Sequence, residues 1–258
     1  MELFTIAFVA FIGSMLTFFS GFGLGTILLP AFGLFFSIEI AIAMTAIVHF
    51  SNNIFKFVLV GKNVNIYIFK RFGIITFISA FIGAYFLNFL SIYNFQFSFN
   101  LFNHSFLTQP IKVIIAFLML IFALIELIPF LEKSLKLSDK HLPYGAFLSG
   151  FFGGLSGHQG ALRSAFLIKT NLTKEEYIAT GTSIAILIDI TRLTTYSTHL
   201  KTIDFSSNIT LILSAIVSAF IGALLGNIFL KKISISYIKN IVGIMLILIA
   251  ILIGFGLI

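Results

Sequence analysis

The sequence predicts an all-α integral membrane protein, and three observations support this fold class. Of the 258 residues, 59% are hydrophobic and only 10% are charged, whereas a soluble domain carries about 25% charged residues. The apolar residues form long uninterrupted runs such as residues 233–258, which contain a single lysine, and about 20 apolar residues cross the hydrocarbon core. The runs lack the alternation of the roughly ten-residue strands of an outer-membrane barrel. The segments are therefore predicted to be membrane helices.

Eight apolar segments follow one another, and the first and fifth are anomalous. They cover about 3–36, 40–60, 66–90, 110–131, 142–171, 176–199, 205–230 and 234–258. Glycine-rich stretches, SGFGLG at 20–25 and GGLSGHQG at 153–160, interrupt the two anomalous segments. Unbroken, each would extend about 45–50 Å, longer than a bilayer, while each broken arm is too short to cross. Re-entrant hairpins are predicted, because unpaired backbone at membrane depth survives only inside protein or beside water.

The two halves of the chain repeat. The sequence SAFIGA occurs at 79–84 and again at 218–223, 139 positions later. Near that offset AMTA at 43–46 matches TGTS at 180–183, Asn52 matches Asp189, and the glycine breaks correspond at an offset of about 135. We predict a first membrane repeat at 1–131, a cytoplasmic linker at 132–141 and a second repeat at 142–258, together forming one membrane domain.

Loop charges test the hairpin prediction, because cytoplasmic loops of membrane proteins collect Lys and Arg. If all eight segments crossed, the loop cations would divide about evenly between the two sides. If the first and fifth segments enter and return, only Lys112 and Lys201 lie on one side. The other side then receives eleven cations: Lys62, Lys70, Arg71, Lys133, Lys136, Lys140, Lys169, Lys174, Lys231, Lys232 and Lys239. This distribution predicts both termini outside the cytoplasm, three crossings per half and inverted repeats, an architecture of transporters.

Composition and motifs exclude several classes of function. The net charge of +7 does not indicate nucleic-acid binding, because the lysines lie in short connections and form no solvated patch. The absence of cysteine excludes disulfides, thiolate metal sites and thiol chemistry. There is no HExxH, no Gly-x-Ser-x-Gly and no close pair of intramembrane carboxylates. No enzyme activity, metal or cofactor is therefore predicted. The N-terminus lacks a basic n-region and a cleavage site, so we expect it to be retained.

The paired motifs resemble those of the TauE/SafE family, the sulfite-exporter-like membrane permeases, over nearly the whole length. The resemblance rests on GFGLGTILLP at 21–30 with AMTA around Thr45, and on GLSGHQGALRSAFL at 154–167 with ATGTS at 179–183. The family pattern has a glycine-rich break, a downstream proline and a turn of helix with small residues and Thr or Ser. Pro30 is present, whereas Ser164 and Ala165 stand where the second half usually has a proline. The resemblance implies transport of small anions, and these departures suggest a subgroup whose substrate need not be sulfite.

Polar residues at the breaks are the candidates for a substrate site. Arg163 follows the second break, and a charge near the bilayer centre costs about 2.5–3.5 kcal/mol. It is predicted either to bind an anion, aided by N–H groups at the helix N-terminus, or to hold carbonyls of the broken helix or an acid. The other candidate substrate ligands are His158, Gln159, Ser164, Thr45, Thr182, Asn52, Gly25 and Gly160. The threonines either offer hydroxyls to the anion or allow close helix packing.

Ionisable residues on the second and sixth segments are candidates for ion coupling. Asp189 and Arg192 have the spacing of neighbours on one helical face, so they either neutralise each other or carry a coupling proton and assist the substrate. Histidine changes its charge near neutral pH, so His49 is predicted to be either hydrogen-bonded structure or a proton carrier. Lys56 lies close enough to a loop for its ammonium to snorkel to the interface.

These observations predict a secondary transporter of the cytoplasmic membrane with a central site where the two broken hairpins meet. Sulfur oxyanions, organosulfonates and small organic acids all fit one or two cations among hydroxyls. A passive anion channel is the alternative, since it would share the electropositive pore but would not accumulate its substrate. The expected partners are the small anion and the lipid bilayer, with a homodimer left open.

Overall fold

The computed structural model describes residues 1–20, 24–92, 95–101, 104–128, 141–168, 170–197, 205–229 and 235–257. Ten α-helices lie in these ranges: α1 Glu2–Ser20, α2 Leu24–Gly33, α3 Ile38–Val60, α4 Ile66–Ile92, α5 Pro110–Leu127, α6 Leu142–Ser156, α7 Gly160–Leu167, α8 Lys174–Thr195, α9 Phe205–Phe229 and α10 Ile235–Gly254. A 3₁₀ turn, Gly61–Asn63, follows α3. The predicted all-α membrane fold is confirmed, and the helices begin and end within a few residues of the predicted segments.

Three helical spans among the described residues are long and apolar enough to cross a membrane: Ile38–Asn63, Ile66–Leu90 and Asn208–Ile228. Shorter apolar helices are Glu2–Phe18, Leu24–Gly33, Pro110–Leu124 and Gly243–Gly254. The outer faces of α4 and α9 carry large exposed apolar side chains, among them Ile74, Ile78, Val217 and Ile228. Apolar surface of this extent marks contact with a membrane or a partner.

Both glycine-broken segments fold back on themselves. In the first, a Cβ added to Gly13 of α1 would lie 3.0 Å from Cδ1 of Leu24 at the start of α2, whereas a continuous helix would separate these residues by about 16 Å. In the second, the Ser149 hydroxyl of α6 donates to the Gln159 carbonyl just before α7. Gly157 ends α6 with φ at 84°, a left-handed conformation that glycine adopts without strain. Each pair of arms therefore forms a hairpin.

The first arm of each hairpin packs against a helix of the other half. Gly83 of α4 lies so close to α6 that an added Cβ would meet the carbonyl of Phe151. Gly222 of α9 lies against the carbonyl of Phe11 of α1 in the same way. The two glycines occupy the same position of the repeated SAFIGA, and Phe11 and Phe151 are 140 positions apart. The two halves thus make the same small-residue helix contact with their roles exchanged.

Corresponding helices of the two halves run in opposite directions where they touch. In the pair of α5 and α10, Gly243 lies against Leu127 and Gly254 lies against Ala116, so the two helices are antiparallel. In the pair of α3 and α8, Ile42 near the start of α3 contacts Arg192 near the end of α8. Asn53, later in α3, contacts Asp189, which precedes Arg192 in α8, so these helices are antiparallel as well. Inverted repeats require this order. The superposition of the complete halves about an axis in the membrane plane, and the linker at 132–141, which lies almost wholly outside the described residues, stay predictions.

A short β-hairpin between α4 and α5 was not predicted. Strand β1, Phe97–Leu101, pairs antiparallel with β2, His104–Thr108. Phe99 and Phe106 stack on each other, and both pack on Phe255 just beyond α10. The alternation of aromatic and polar residues in FQFSFN at 95–100 is the period-two pattern of a strand. This tertiary support from Phe255 explains why so short a hairpin forms.

Candidate anion-binding site

The two helix breaks meet beside α3. A Cβ on Gly25, in the first turn of α2, would lie 3.6 Å from both the Thr45 and His49 side chains of α3. The same point lies 3.7 Å from the carbonyl oxygen of Gly157, at the second break. These contacts bring the tips of both hairpins to one place beside α3.

A small polar cavity of about 30 Å³ lies beside this meeting point. One water needs about 10–15 Å³, so the cavity has room for a few heavy atoms in this conformation. Its lining residues are Thr17, Phe18, Leu24, His49, Asn53, Lys56, Arg163, Leu167, Tyr177, Ile178, Gly181 and Thr182. They come from α1, α2, α3, α7 and α8, so both halves contribute. Among the described residues, no carboxylate lines the cavity.

Arg163 supplies one cation of the cavity. It lies on α7, one turn after the break, and its side chain is only 5% exposed. Its Nη1 donates to Oε1 of Gln159 at 3.0 Å, which fixes one edge of the guanidinium. The planar guanidinium carries five N–H donors in all and matches oxyanions in a bidentate manner.

Lys56 supplies a second basic side chain to the cavity, and the snorkelling interpretation of this residue is wrong. Its side chain is buried, and Nζ lies over the ring of Phe18 at 5.5 Å from the ring centroid. His49, Asn53 and Lys56 recur at the i, i+4 and i+7 positions of α3, so they share one helical face that turns toward the cavity. This periodicity in the sequence was the signal that could have identified Lys56.

Asp189 lies behind the cavity wall and is engaged by three side chains. Its Oδ2 accepts hydrogen bonds from Nδ1 of His49 at 2.7 Å and from Nδ2 of Asn53 at 2.9 Å. A carboxylate only accepts, so Nδ1 of His49 carries the proton in this contact. Its Oδ1 accepts from Nη1 of Arg192 at 3.4 Å.

Arg192 is fully buried and lies away from the cavity lining. Its Nη2 donates to the carbonyl of Ile42 on α3 at 3.3 Å, and the guanidinium lies directly beneath Gly157. Arg192 therefore pairs with Asp189 and ties α8 to α3 at the second break, contacts that the structural alternative expects.

The remaining candidate ligands occupy different places. Thr182 lines the cavity, whereas Thr45 and Gly25 lie at the meeting point of the hairpins. Asn52 accepts a hydrogen bond from the Ser14 hydroxyl of α1 at 2.9 Å. Gly160 begins α7, and Ser164 is buried on the same helix.

His158 is turned away from Arg163. Its ring stacks on Phe122 of α5 at 5.5 Å, and its Nδ1 lies 3.0 Å from the Ser156 hydroxyl. It does not line the cavity that contains Arg163 and Lys56. Gly157, in the left-handed conformation, reverses the chain just before His158. The number of residues between His158 and Arg163 therefore did not predict the direction in which the His158 ring points.

Several buried polar atoms around the breaks have no hydrogen-bond partner among the described residues. They are Thr45 Oγ1, Asn52 Nδ2, His158 Nε2, Gln159 Nε2, Ser164 Oγ and Arg192 Nε. A buried polar group without a partner costs about 1–3 kcal/mol. The centre of the molecule therefore holds more hydrogen-bonding groups than the described residues satisfy, which is a property of sites that take up water or ligand.

Comparison with known families identifies the family of the chain. A family model described as Sulfite exporter TauE/SafE matches residues 6–253. The match includes both glycine breaks and every residue that lines the cavity. No curated protein and no solved structure matches the chain. The resemblance of the motifs is thereby confirmed over the whole length.

Proposed function

The chain belongs to the sulfite exporter TauE/SafE family, and on that premise we propose that it is a secondary transporter that moves a small anion across the cytoplasmic membrane. Members of this family are membrane transporters for sulfite or related anions rather than enzymes, and the chain is a multi-pass membrane protein. The proposed site is the cavity where the two broken hairpins meet. The substrate is a sulfur oxyanion, an organosulfonate or a small organic acid.

The observation that carries this proposal is the presence of two buried cations in a cavity that no described carboxylate lines. Lys56 and Arg163 are each 5% exposed. Both side chains lie away from water, where the local dielectric constant is low and attraction between opposite charges is stronger than in solution. An anion that enters the cavity from solution therefore meets basic groups from both halves of the chain.

Neutral donors around the cations complete the proposed site. Thr182 and Tyr177 line the same cavity and carry hydroxyls that can donate to the oxygens of an anion. Thr17 and Asn53 also line it, but the Thr17 hydroxyl donates to the Gly13 carbonyl and the Asn53 amide donates to Asp189. A small oxyanion is thus surrounded by donors from both halves of the chain, as expected of a site between two repeats.

His49 and Asp189 are the proposed route for a coupling proton. His49 lines the cavity, and its Nδ1 contacts Asp189 directly behind the wall. A coupling proton would pass across the direct hydrogen bond between the two side chains, and movement of the hairpins would expose the pair to either side.

A passive anion channel is the second candidate, and accumulation distinguishes it from a transporter. The purified protein should be stabilised against heat by one of sulfite, thiosulfate, methanesulfonate or acetate, by about 2.7 kcal/mol at 100 times Kd. In proteoliposomes, the stabilising anion should accumulate against its own gradient when a proton gradient is applied. Flux that only dissipates the anion gradient would favour the channel. Absence of both stabilisation and flux with every anion would contradict the proposal.

The orientation of the chain is open to a separate test. We expect both termini outside the cytoplasm, because this arrangement leaves eleven loop cations inside and two outside. A fluorescent protein fused after residue 258 should therefore remain dark, and alkaline phosphatase at the same place should be active. Insertion of either reporter in the linker at 132–141 should give the opposite pair of signals. A fluorescent fusion at residue 258 would rule out the re-entrant arrangement of three crossings per half.

A further inference from the structure

A second cavity, an apolar groove of about 360 Å³, lies between the end of α3, the start of α4 and the middle of α8. This volume is within the range of ligand pockets. We infer that the groove binds an anionic phospholipid, with one acyl chain in the groove and the lipid phosphate beside Lys62 and Lys70. The groove shares no lining residue with the anion cavity, so the inference goes beyond the proposed transport and does not depend on it.

The groove offers a hydrocarbon surface to its occupant. Its walls are formed mainly by Ile54, Phe57, Ile66, Phe69, Ile186 and Leu187. Of the described residues that line it, only Ser183 has a polar side chain, and that hydroxyl already donates to the Ala179 carbonyl at 2.9 Å. A polar occupant would therefore lose its hydration without gaining hydrogen bonds, whereas an acyl chain loses none.

The groove opens on the surface of two helices that are long enough to cross a membrane. Ile54 of α3 and Ile66 of α4 line it and are 40% and 57% exposed. The spans Ile38–Asn63 and Ile66–Leu90 contain these residues. In a bilayer, lipid chains are the medium that surrounds such a surface, so the acyl chain enters the groove from the side.

The mouth of the groove is basic. Lys62 lies in the 3₁₀ turn between Gly61 and Val64, both of which line the groove, and Lys70 lies one turn after Ile66 on the same face of α4. Both lysines are exposed, and neither forms an ion pair with a described residue. The loop charges predict this turn on the cytoplasmic side, where the leaflet carries anionic lipids. The charge of the mouth therefore complements an anionic headgroup.

The acid that contacts this region is already engaged. Glu176 of α8 accepts from Nδ2 of Asn65 at 3.2 Å and from the backbone N–H of Thr173 at 2.9 Å. The charges of Lys174 and Glu175, which precede it, cancel in sum. The cations of the turn and of α4 therefore leave the mouth with a net positive charge.

The groove joins the two halves of the chain. Its α3 and α4 walls belong to the first half, and its α8 wall belongs to the second. Along α3, Asn53 lines the anion cavity and Ile54 lines the groove, and along α8, Thr182 and Ser183 divide in the same way. A bound acyl chain thus packs on the outer side of the wall that separates it from the cavity, and it should raise thermal stability.

The test compares dioleoylphosphatidylglycerol, which is anionic, with dioleoylphosphatidylcholine, which has the same chains and no net charge. Their dissociation constants for the purified full chain are measured by native mass spectrometry from neutral detergent, at pH 7 and matched ionic strength. The wild-type protein should bind the anionic lipid about tenfold or more tightly, since each lysine near a lipid headgroup contributes a factor of about five.

Charge variants test the headgroup. The double variant Lys62→Gln, Lys70→Gln should lose this preference and keep phosphatidylcholine binding within about twofold. Arg71→Gln is the matched control, because Arg71 follows Lys70 but bonds to Tyr67 away from the groove, and it should keep the preference. Equal binding of both lipids by the wild type, or an unchanged preference in the double lysine variant, would overturn the inference.

A groove variant and a soluble headgroup test the acyl chain. Val64→Phe adds bulk to the lining and should weaken both lipids by about fivefold or more. Free glycerol phosphate should not displace the anionic lipid, because it has no chain to bury. Displacement by glycerol phosphate, or unchanged lipid binding in a folded Val64→Phe protein, would overturn the inference, and a dimer lost in that variant would identify an interface between copies instead. The exposed lysine variants decide the result if Val64→Phe does not fold.

Discussion

Replacement of Arg163 by glutamine is expected to abolish anion-induced stabilisation and transport while the protein stays folded in the membrane. The guanidinium is buried in the cavity and is held at one edge by Gln159. Loss of a buried charge that binds an oppositely charged partner costs about 2–5 kcal/mol. Anion affinity should therefore fall by at least about thirtyfold, measured by calorimetry and by uptake into proteoliposomes.

A conservative substitution at position 163 and a control substitution far from the cavity distinguish an anion ligand from a residue that only braces the hairpin. Arg163→Lys should recover only part of the affinity, because a point charge lacks the planar fork of donors. Arg71→Gln, which removes an exposed arginine of α4 bonded to Tyr67, should leave binding unchanged. If Arg163 instead braces the broken hairpin, both changes at position 163 will lower thermal stability without any anion. A folded Arg163→Gln protein with full binding and transport would refute its role as an anion ligand.

The change Asp189→Asn should have the largest effect on stability. Asp189 and Arg192 are both fully buried, and the carboxylate also holds His49 and Asn53. Removal of one partner of a buried ion pair costs about 3–5 kcal/mol, because the other charge is left without compensation. The free energy of unfolding, measured by denaturant titration in detergent, should fall by about that amount.

The double variant Asp189→Asn, Arg192→Gln serves as the matched control for this prediction. It removes both charges together, so it should be more stable than the single variant. A single variant as stable as the wild type would contradict the role of Asp189 as a buried counter-ion. If that stable variant also equilibrated the anion without accumulating it, the remaining role of Asp189 would be that of a proton carrier alone.

Much of the fold was predictable because bilayer thickness and helix geometry leave few alternatives. Each glycine-interrupted segment is longer than the bilayer is thick, while each of its two arms is too short to cross. A hairpin that enters and returns was therefore the available solution. The β-hairpin was missed because its stability depends on Phe255, which lies about 150 residues away in sequence. Local pattern alone does not report such a distant contact.

Residues of the candidate site were predictable only where a charged residue interrupted an apolar segment. Arg163 stood out as a cation within an apolar segment, and the structure places it in the cavity. Lys56 was misassigned because its distance from a loop suggested that its head reaches water, although it shares a helical face with His49 and Asn53. His158 lies five residues before Arg163 but faces α5, because the left-handed Gly157 sets its direction. Side-chain direction after such a break depends on backbone geometry that residue spacing does not encode.

Because the glycine contacts are exchanged between the halves, the helix that each hairpin packs against is synthesised after the first hairpin but before the second. The first hairpin packs through Phe11 on Gly222 of α9, and more than 180 residues separate the end of α1 from the start of α9. At about 5–20 residues per second, the ribosome needs roughly 10–40 s to supply that helix. The second hairpin packs on Gly83 of α4, which has already been made when α6 emerges. The first hairpin must therefore wait in the bilayer or the translocon with its packing surface uncovered, whereas the second docks as soon as it leaves the ribosome.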